Sequence, residues 1–211
     1  MNLIDVSHHN GDIDWTKVKN DKDNNIEGVI IRAGYGKIAS QKDKKFEDNF
    51  WDAISEKLHV GAYWYSYALT ADEAELEAKA FLECIKGKRF DLPVFFDIEE
   101  ETQTHLEKRV CTDITERFMN VLEAAGYFAG VYSYDSFFKE HLSDNIRKIY
   151  AVWVARTDNV APQTATEWGI HQYSHKGVVK GITGSVDLNE CIKDYPQIIK
   201  DAGLNGFTKK K

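Results

Sequence analysis

Asp97 and Glu99, in the stretch DLPVFFDIEEE that runs from Asp91 to Glu101, are the residues of this chain whose type and spacing most suggest chemistry. Pro93 opens an apolar run suited to a strand buried on both faces, and the run ends in four carboxylates, which packing does not require. Side chains alternate along a strand, so Phe95, Asp97 and Glu99 share one face while Phe96 and Ile98 point to the other. The Cα atoms of Asp97 and Glu99 are then about 6.6 Å apart. At that separation mutual repulsion is expected to push one pKa up and leave the other group ionised, which makes an acid and a base of the pair. Glu100 and Glu101 read as a solvated turn.

The strands needed to position these acids are short apolar runs: Asn2–Val6, Gly28–Arg32, Val60–Ser66, Leu92–Ile98 and Ala129–Ser133. Between the second and third, Phe46, Phe50, Ala53, Ile54 and Leu58 repeat at the spacing of one helical face. Thr70-Ala-Asp-Glu73 is a capping box that starts a helix reaching about Lys86, and Thr104-His-Leu-Glu107 reads as a second box that starts the longest helix, ended by Gly126. A shorter helix is expected over Ser136–Leu142. Beyond it the rhythm changes: Tyr150–Ala155, Trp168–Tyr173 and Ser185–Leu188 are strands joined by polar, glycine-rich segments, and a last helix covers Ile192–Ala202. Eight strands with covering helices only in the first part predict an α/β fold, an irregular TIM-like barrel with a parallel sheet. Periodicity alone leaves an open doubly wound sheet as the alternative.

In such a barrel the site lies at the C-terminal strand ends. Asp5 in the first strand and Asp187 in the last become neighbours when the barrel closes, so four acids could line one pocket, each alone also able to cap a turn or pair with Arg32. Aromatic residues collect at the same ends, among them Tyr35, Tyr63, Tyr65, Tyr67, Tyr132, Tyr134, Trp153 and Tyr173. Flat rings beside carboxylates suit a sugar, whose C–H faces stack while its hydroxyls hydrogen-bond. His171 and His175 have helical metal-ligand spacing but fall at a strand end, and His8 and His9 point apart if extended, so no metal or other cofactor is expected. There is no GxGxxG, P-loop or GxSxG motif to support dinucleotide, phosphoryl-transfer or serine-hydrolase chemistry.

Composition sets the outer limits. The 211 residues fit one domain, and 43% hydrophobic with 12% aromatic content excludes a disordered chain. No apolar run approaches the ~20 residues of a membrane helix, and no secretory signal is evident. A net charge of −7, with its one basic cluster at Lys209–Lys211, argues against nucleic acid as a partner. Cys84, Cys111 and Cys191 are widely spaced and odd in number, so free thiols are expected. The domain is taken as 1–203, followed by a polar tail over 204–211.

The opening Asp5-Val6-Ser7-His8-His9-Asn10-Gly11, with Ile13-Asp14-Trp15, resembles the start of the glycoside hydrolase family 25 lysozymes. The likeness continues in register through VIIRAGYG at Val29–Gly36, GAYWYSYA at Gly61–Ala68, PVFFDIEE at Pro93–Glu100, GVYSY at Gly130–Tyr134, VWVAR at Val152–Arg156, IHQYS at Ile170–Ser174 and SVDLNE at Ser185–Glu190. The resemblance implies a flattened barrel of five β/α units and three further strands, (β/α)5(β)3. It implies N-acetylmuramidase activity on bacterial peptidoglycan; no membrane and no obligate protein partner is expected. By position, Glu99 becomes the general acid and Asp97 the residue that steadies charge at the anomeric centre, either orienting the substrate's 2-acetamido group or attacking directly. Asp5 and Asp187 match the family's other two acids, and Arg32, Tyr63, Tyr132, Trp153 and Gln172 its substrate contacts. Such a chain fits a phage lysin released at host lysis, or an exported protein whose signal has been removed. Two further readings stay open: a chitinase-like glycosidase, which also ends a strand in Asp-x-Glu, and a catalytically inactive glycan-binding barrel.

Overall fold

Each apolar run of the sequence becomes a strand. In a computed structural model, which describes residues 1–209, the strands are β1 (Asn2–Val6), β2 (Ile26–Tyr35), β3 (His59–Tyr65), β4 (Val94–Asp97), β5 (Ala129–Tyr134), β6 (Ala151–Ala155), β7 (Ile170–Gly177) and β8 (Val186–Cys191). They close into a barrel in sequence order. Neighbours from β1 to β7 are parallel, whereas β8 is antiparallel to both β7 and β1. This corrects the all-parallel expectation. The connection over 178–185 is shorter than the dozen or so residues a parallel crossover needs, so the chain turns back instead.

The covering helices are α1 (Trp15–Lys19), α2 (Phe46–Ser55), α3 (Ala71–Ile85), α4 (Lys108–Ala124), α5 (Asp135–His141) and α6 (Asp144–Ile149), and α7 (Tyr195–Ala202) follows the last strand. Phe46, Phe50 and Ala53 are the buried stripe of α2. Thr70 caps α3 by accepting from the Glu73 amide at 3.2 Å, while the Glu73 carboxylate reaches the Leu69 amide at 2.8 Å. The second expected box does not form. Residues Glu101–His105 make a 3₁₀ turn in which the Thr104 hydroxyl donates to the Glu101 carbonyl, and α4 starts four residues later, at Lys108. The helix α6 has no counterpart in the sequence expectation.

Alternation along the strands separates two apolar layers. Outside the barrel, Val29, Ile31, Trp64, Phe96 and Val131 pack against the helices, with the ring of Phe118 on α4 tilted against that of Phe96, centroids 4.2 Å apart. Inside, Leu3, Ile30, Leu92, Phe95, Trp153 and Ile170 fill the lower half. Phe95 has room because Gly130 faces it: a Cβ at that position would come within 2.4 Å of the ring. The stretch expected as a polar tail is instead tied to the bottom of the barrel. Asn205 is fully buried, its side chain accepting from the Phe128 amide at 2.6 Å and donating to the Leu92 carbonyl at 3.0 Å, and Phe207 packs against Arg89. Lys210 and Lys211, the end of the basic cluster, lie outside the described residues. Among the described residues no helix is long and apolar enough to cross a membrane.

Candidate active site

With the lower interior filled by apolar side chains, the polar inward-facing residues come together at the upper end, where the parallel strands finish. They line a groove of about 520 Å³. Asp97 is the last residue of β4 and Glu99 lies two beyond it; Asp5 sits on β1, directly paired with Asp187 of β8. Because β8 runs in reverse, Asp187 comes from its beginning and still faces the same end. All four acids predicted from the sequence line the groove, as do Arg32, Tyr63, Tyr132, Trp153 and Gln172.

The acids differ in how they are held. Asp5 Oδ2 accepts from Asn189 Nδ2 at 2.8 Å and from Gln172 Nε2 at 2.9 Å. Asn189 is fixed in turn by Trp153 Nε1 at 2.7 Å, and Gln172 by the Tyr132 hydroxyl at 2.9 Å. Gln172, read from the sequence as a substrate contact, therefore has both ends of its amide engaged with protein, and Trp153 is a buried floor residue between Phe95 and Tyr132. By contrast, Asp97 Oδ1 and Glu99 Oε2 are buried without a protein partner. Neither residue is in a salt bridge among the described residues. A buried acceptor left this way costs stability unless something else supplies a donor.

Burial, rather than mutual repulsion, dominates the electrostatics. It pushes Glu99 up to about 7, with the hydroxyls of Tyr134 and Tyr132 opposing and the charges of Asp187 and Glu100 reinforcing. Asp97 stands well above the ordinary carboxylate range, first through burial and then through the charges of Glu99 and Asp5, with Arg32 pulling the other way. Burial and then the Asp187 charge raise Asp5 against its hydrogen bonds to Asn189 and Gln172, and burial raises Asp187. The expected split, one acid raised and one left ionised, is thus replaced by four raised acids. The reason is that the filled barrel takes water from all of them.

Arg32 does not pair with any of the four. Its Nε donates to Asp43 Oδ2 at 2.9 Å, and His8 Nδ1 lies 2.8 Å from that same oxygen. The amides of His8 and Lys45 also donate to Asp43, at 3.1 and 2.9 Å. This buried carboxylate fixes the guanidinium at the edge of the groove.

Sequence reasoning missed Asp43, which reaches Arg32 through a loop with no periodic signal. It also missed Asn189, although alternation along SVDLNE places that residue on the face of Asp187. The histidines are dispersed. His8 and His9 occupy a 3₁₀ turn rather than extended backbone, with ring centroids 4.1 Å apart. His171 bonds the Arg156 carbonyl at 2.9 Å, and His175 lines the groove beside Asp187. Among the described residues, no group of His, Cys, Asp and Glu is arranged to hold a metal ion. The three cysteines are free and buried.

Comparison with known proteins places this geometry in a family. The sequence model of the glycosyl hydrolases family 25 matches residues 4–182. The autolytic lysozyme of Clostridium acetobutylicum is 28% identical over 190 residues, covering 90% of this chain and 55% of that protein, so the chain spans about half the length of that relative. Among solved structures, the CTP1L endolysin superposes with a TM-score of 0.82 at 29% identity, over 94% of this chain and 69% of that one. The bacterial lysozyme of Streptomyces coelicolor, 24% identical, shares the fold with a TM-score of 0.80 over 96% of both chains. With its eight-stranded mixed barrel and its match over most of its length, the chain belongs to the glycosyl hydrolases family 25.

Proposed function

We propose that the protein is a peptidoglycan hydrolase, a lysozyme of the 1,4-β-N-acetylmuramidase type that cleaves the bond between N-acetylmuramic acid and N-acetylglucosamine in the bacterial cell wall. The observation that carries this reading is Glu99: a carboxyl raised to about 7, on the wall of an open groove, with one oxygen unpartnered and Asp97 two residues away. Such a group keeps its proton through mildly acidic and near-neutral conditions, as a general acid must. Similarity to a protein named as an autolytic lysozyme and to an endolysin supports the substrate class.

In the mechanism proposed, Glu99 donates its proton to the glycosidic oxygen of the departing sugar. Asp97, through its free oxygen, accepts the N–H of the 2-acetamido group and turns the acetamido carbonyl toward the anomeric carbon. That oxygen attacks as the glycosidic bond breaks, giving an oxazolinium whose positive charge is steadied by the hydrogen bond from its N–H to Asp97. Glu99, now a carboxylate, takes a proton from the incoming water, which opens the oxazolinium and restores the original configuration. Asp5, locked by Asn189 and Gln172, and Asp187 paired beside it form the polar floor under the reacting centre. Direct attack by Asp97 is the competing route to the same stereochemistry.

Release of reducing ends from purified peptidoglycan by wild type and by Glu99→Gln tests the assignment. Loss of a general acid removes about 10²–10⁴ of the rate. Equal rates would overturn the role given to Glu99. Turnover of chitin oligomers in place of peptidoglycan would favour the chitinase-like alternative, and wall binding without turnover the inactive barrel.

A further inference from the structure

The wall of the groove continues into a line of aromatic rings that neither the fold nor the four acids account for. Tyr65 lines the groove, its ring centroid lies 5.1 Å from that of Tyr67, and Tyr67 meets Tyr35 edge to face at 6.2 Å. The line passes from protein to solvent. Tyr67 is 48% exposed and Tyr35 36%. Exposed aromatic area arranged as a contiguous strip beside a site is a recognition feature more often than a packing accident.

The backbone under Tyr67 is held from below by buried polar groups. Its amide donates to Glu77 Oε1 at 2.9 Å, Gln103 Nε2 donates to the Ala68 carbonyl at 3.0 Å, and the Ser66 amide donates to the Asp97 carbonyl at 3.0 Å. Glu77 and Gln103 are both fully buried. Keeping a carboxyl in the core is costly: burial pushes Glu77 up to about 7, and its second oxygen has no partner. The core residue of this turn is Ala68, while Tyr67 faces outward from a backbone anchored to Glu77. An anchored backbone reduces the entropy lost when a ligand docks.

The electrostatics of the strip select among ligands. The Tyr65 hydroxyl donates to Glu100 Oε2 at 2.8 Å, and the Glu100 charge also bears on Tyr67. A carboxylate at this place accepts hydroxyl and amide donors and repels the acidic groups of a stem peptide.

We propose that Tyr67 and Tyr35, continuing from Tyr65, form a distal saccharide subsite that stacks an uncharged sugar of the glycan strand beyond the rings bound over the four acids. The inference rests on the glycan-hydrolase reading above and adds to it a preference for long strands over short fragments.

The test measures affinity and cleavage separately. In the Glu99→Gln background, titration with uncrosslinked glycan strands, a tetrasaccharide and an octasaccharide, is followed by tryptophan fluorescence. Tyr67→Ala is expected to weaken octasaccharide binding about fivefold to tenfold, the amount set by burying roughly half an aromatic side chain. Tetrasaccharide binding should stay within about twofold, as expected for a separate site. Tyr67→Phe, which keeps the ring, should restore the octasaccharide affinity. Equal weakening for both lengths, or none for either, overturns the subsite. Cleavage by the unsubstituted protein is scored on the same strands: absence of cleavage with the length dependence intact defeats the hydrolase reading and leaves the subsite standing.

Discussion

Replacing Glu99 with Gln should make the protein more stable, and only on one side of the pH scale. The carboxyl ionises near 7 in the native state against an ordinary value of 4.5. Below pH 4.5 it is protonated in both native and unfolded chains, so the shift contributes nothing there. Between 4.5 and 7 the unfolded chain releases the proton while the native state retains it, and stability falls as pH rises. At roughly 1.4 kcal/mol per pH unit, the deficit accumulated by pH 7 has a ceiling of about 3 kcal/mol. Coupling to Asp97 and Asp187 spreads the charge and lowers that figure, so a gain of about 1–3 kcal/mol above pH 7 is expected for the amide, which cannot ionise. Urea unfolding followed by tryptophan fluorescence, at acid and at mildly alkaline pH, measures it directly. For a chain of this length the gain corresponds to a rise in Tm of about 2–4 °C per kcal/mol. A Gln variant no more stable than wild type above pH 7, or equally stabilised at all pH values, would refute the claim that burial holds Glu99 protonated.

Three further outcomes follow from the same geometry. Tyr134→Phe removes a hydroxyl that pulls Glu99 down, so the alkaline limb of kcat/KM should move to higher pH; a limb that stays or moves down contradicts this. Asn189→Ala deprives Asp5 of a bond at 2.8 Å and Trp153 of one at 2.7 Å, and should cost about 1–3 kcal/mol in urea unfolding; unchanged stability would mean the network bears no load. Gly130→Ala sets a methyl 2.4 Å from the Phe95 ring and 2.9 Å from the Ala151 carbonyl; calorimetry should register a loss of about 1–3 kcal/mol from overpacking, and an unchanged Tm would show that Phe95 can move aside.

What could be read in advance was whatever depends on period and neighbourhood. Alternation placed Asp97 and Glu99 on one face, and closure of the barrel brought Asp5 to Asp187, now seen as a direct cross-strand pair. The reversed direction of β8 was also legible in principle, from the shortness of the segment before it. The false second capping box shows how a local signal loses to tertiary demand. Gln103 is needed inside, where it binds Ser66 and Ala68 and accepts from the Glu100 amide at 3.0 Å, so the chain spends Thr104 on a 3₁₀ turn and starts α4 later. The Arg32–Asp43 contact was not legible because loop geometry, which has no period, decides it. The environment of the acids was misjudged for a related reason. Repulsion follows from spacing along one strand, whereas burial follows from how completely Phe95, Trp153 and their neighbours fill the barrel below.

The central claim, that four converging acids direct hydrolysis to one kind of bond, is tested most directly by the identity of the sugar left at the new end. Purified peptidoglycan is digested, the products are reduced with borohydride, and the muropeptides are analysed by mass spectrometry. New ends that appear as N-acetylmuramitol in the wild-type digest, and are lost with Glu99→Gln, are the predicted result. Ends that appear as N-acetylglucosaminitol, or release that is indifferent to Glu99, would contradict it.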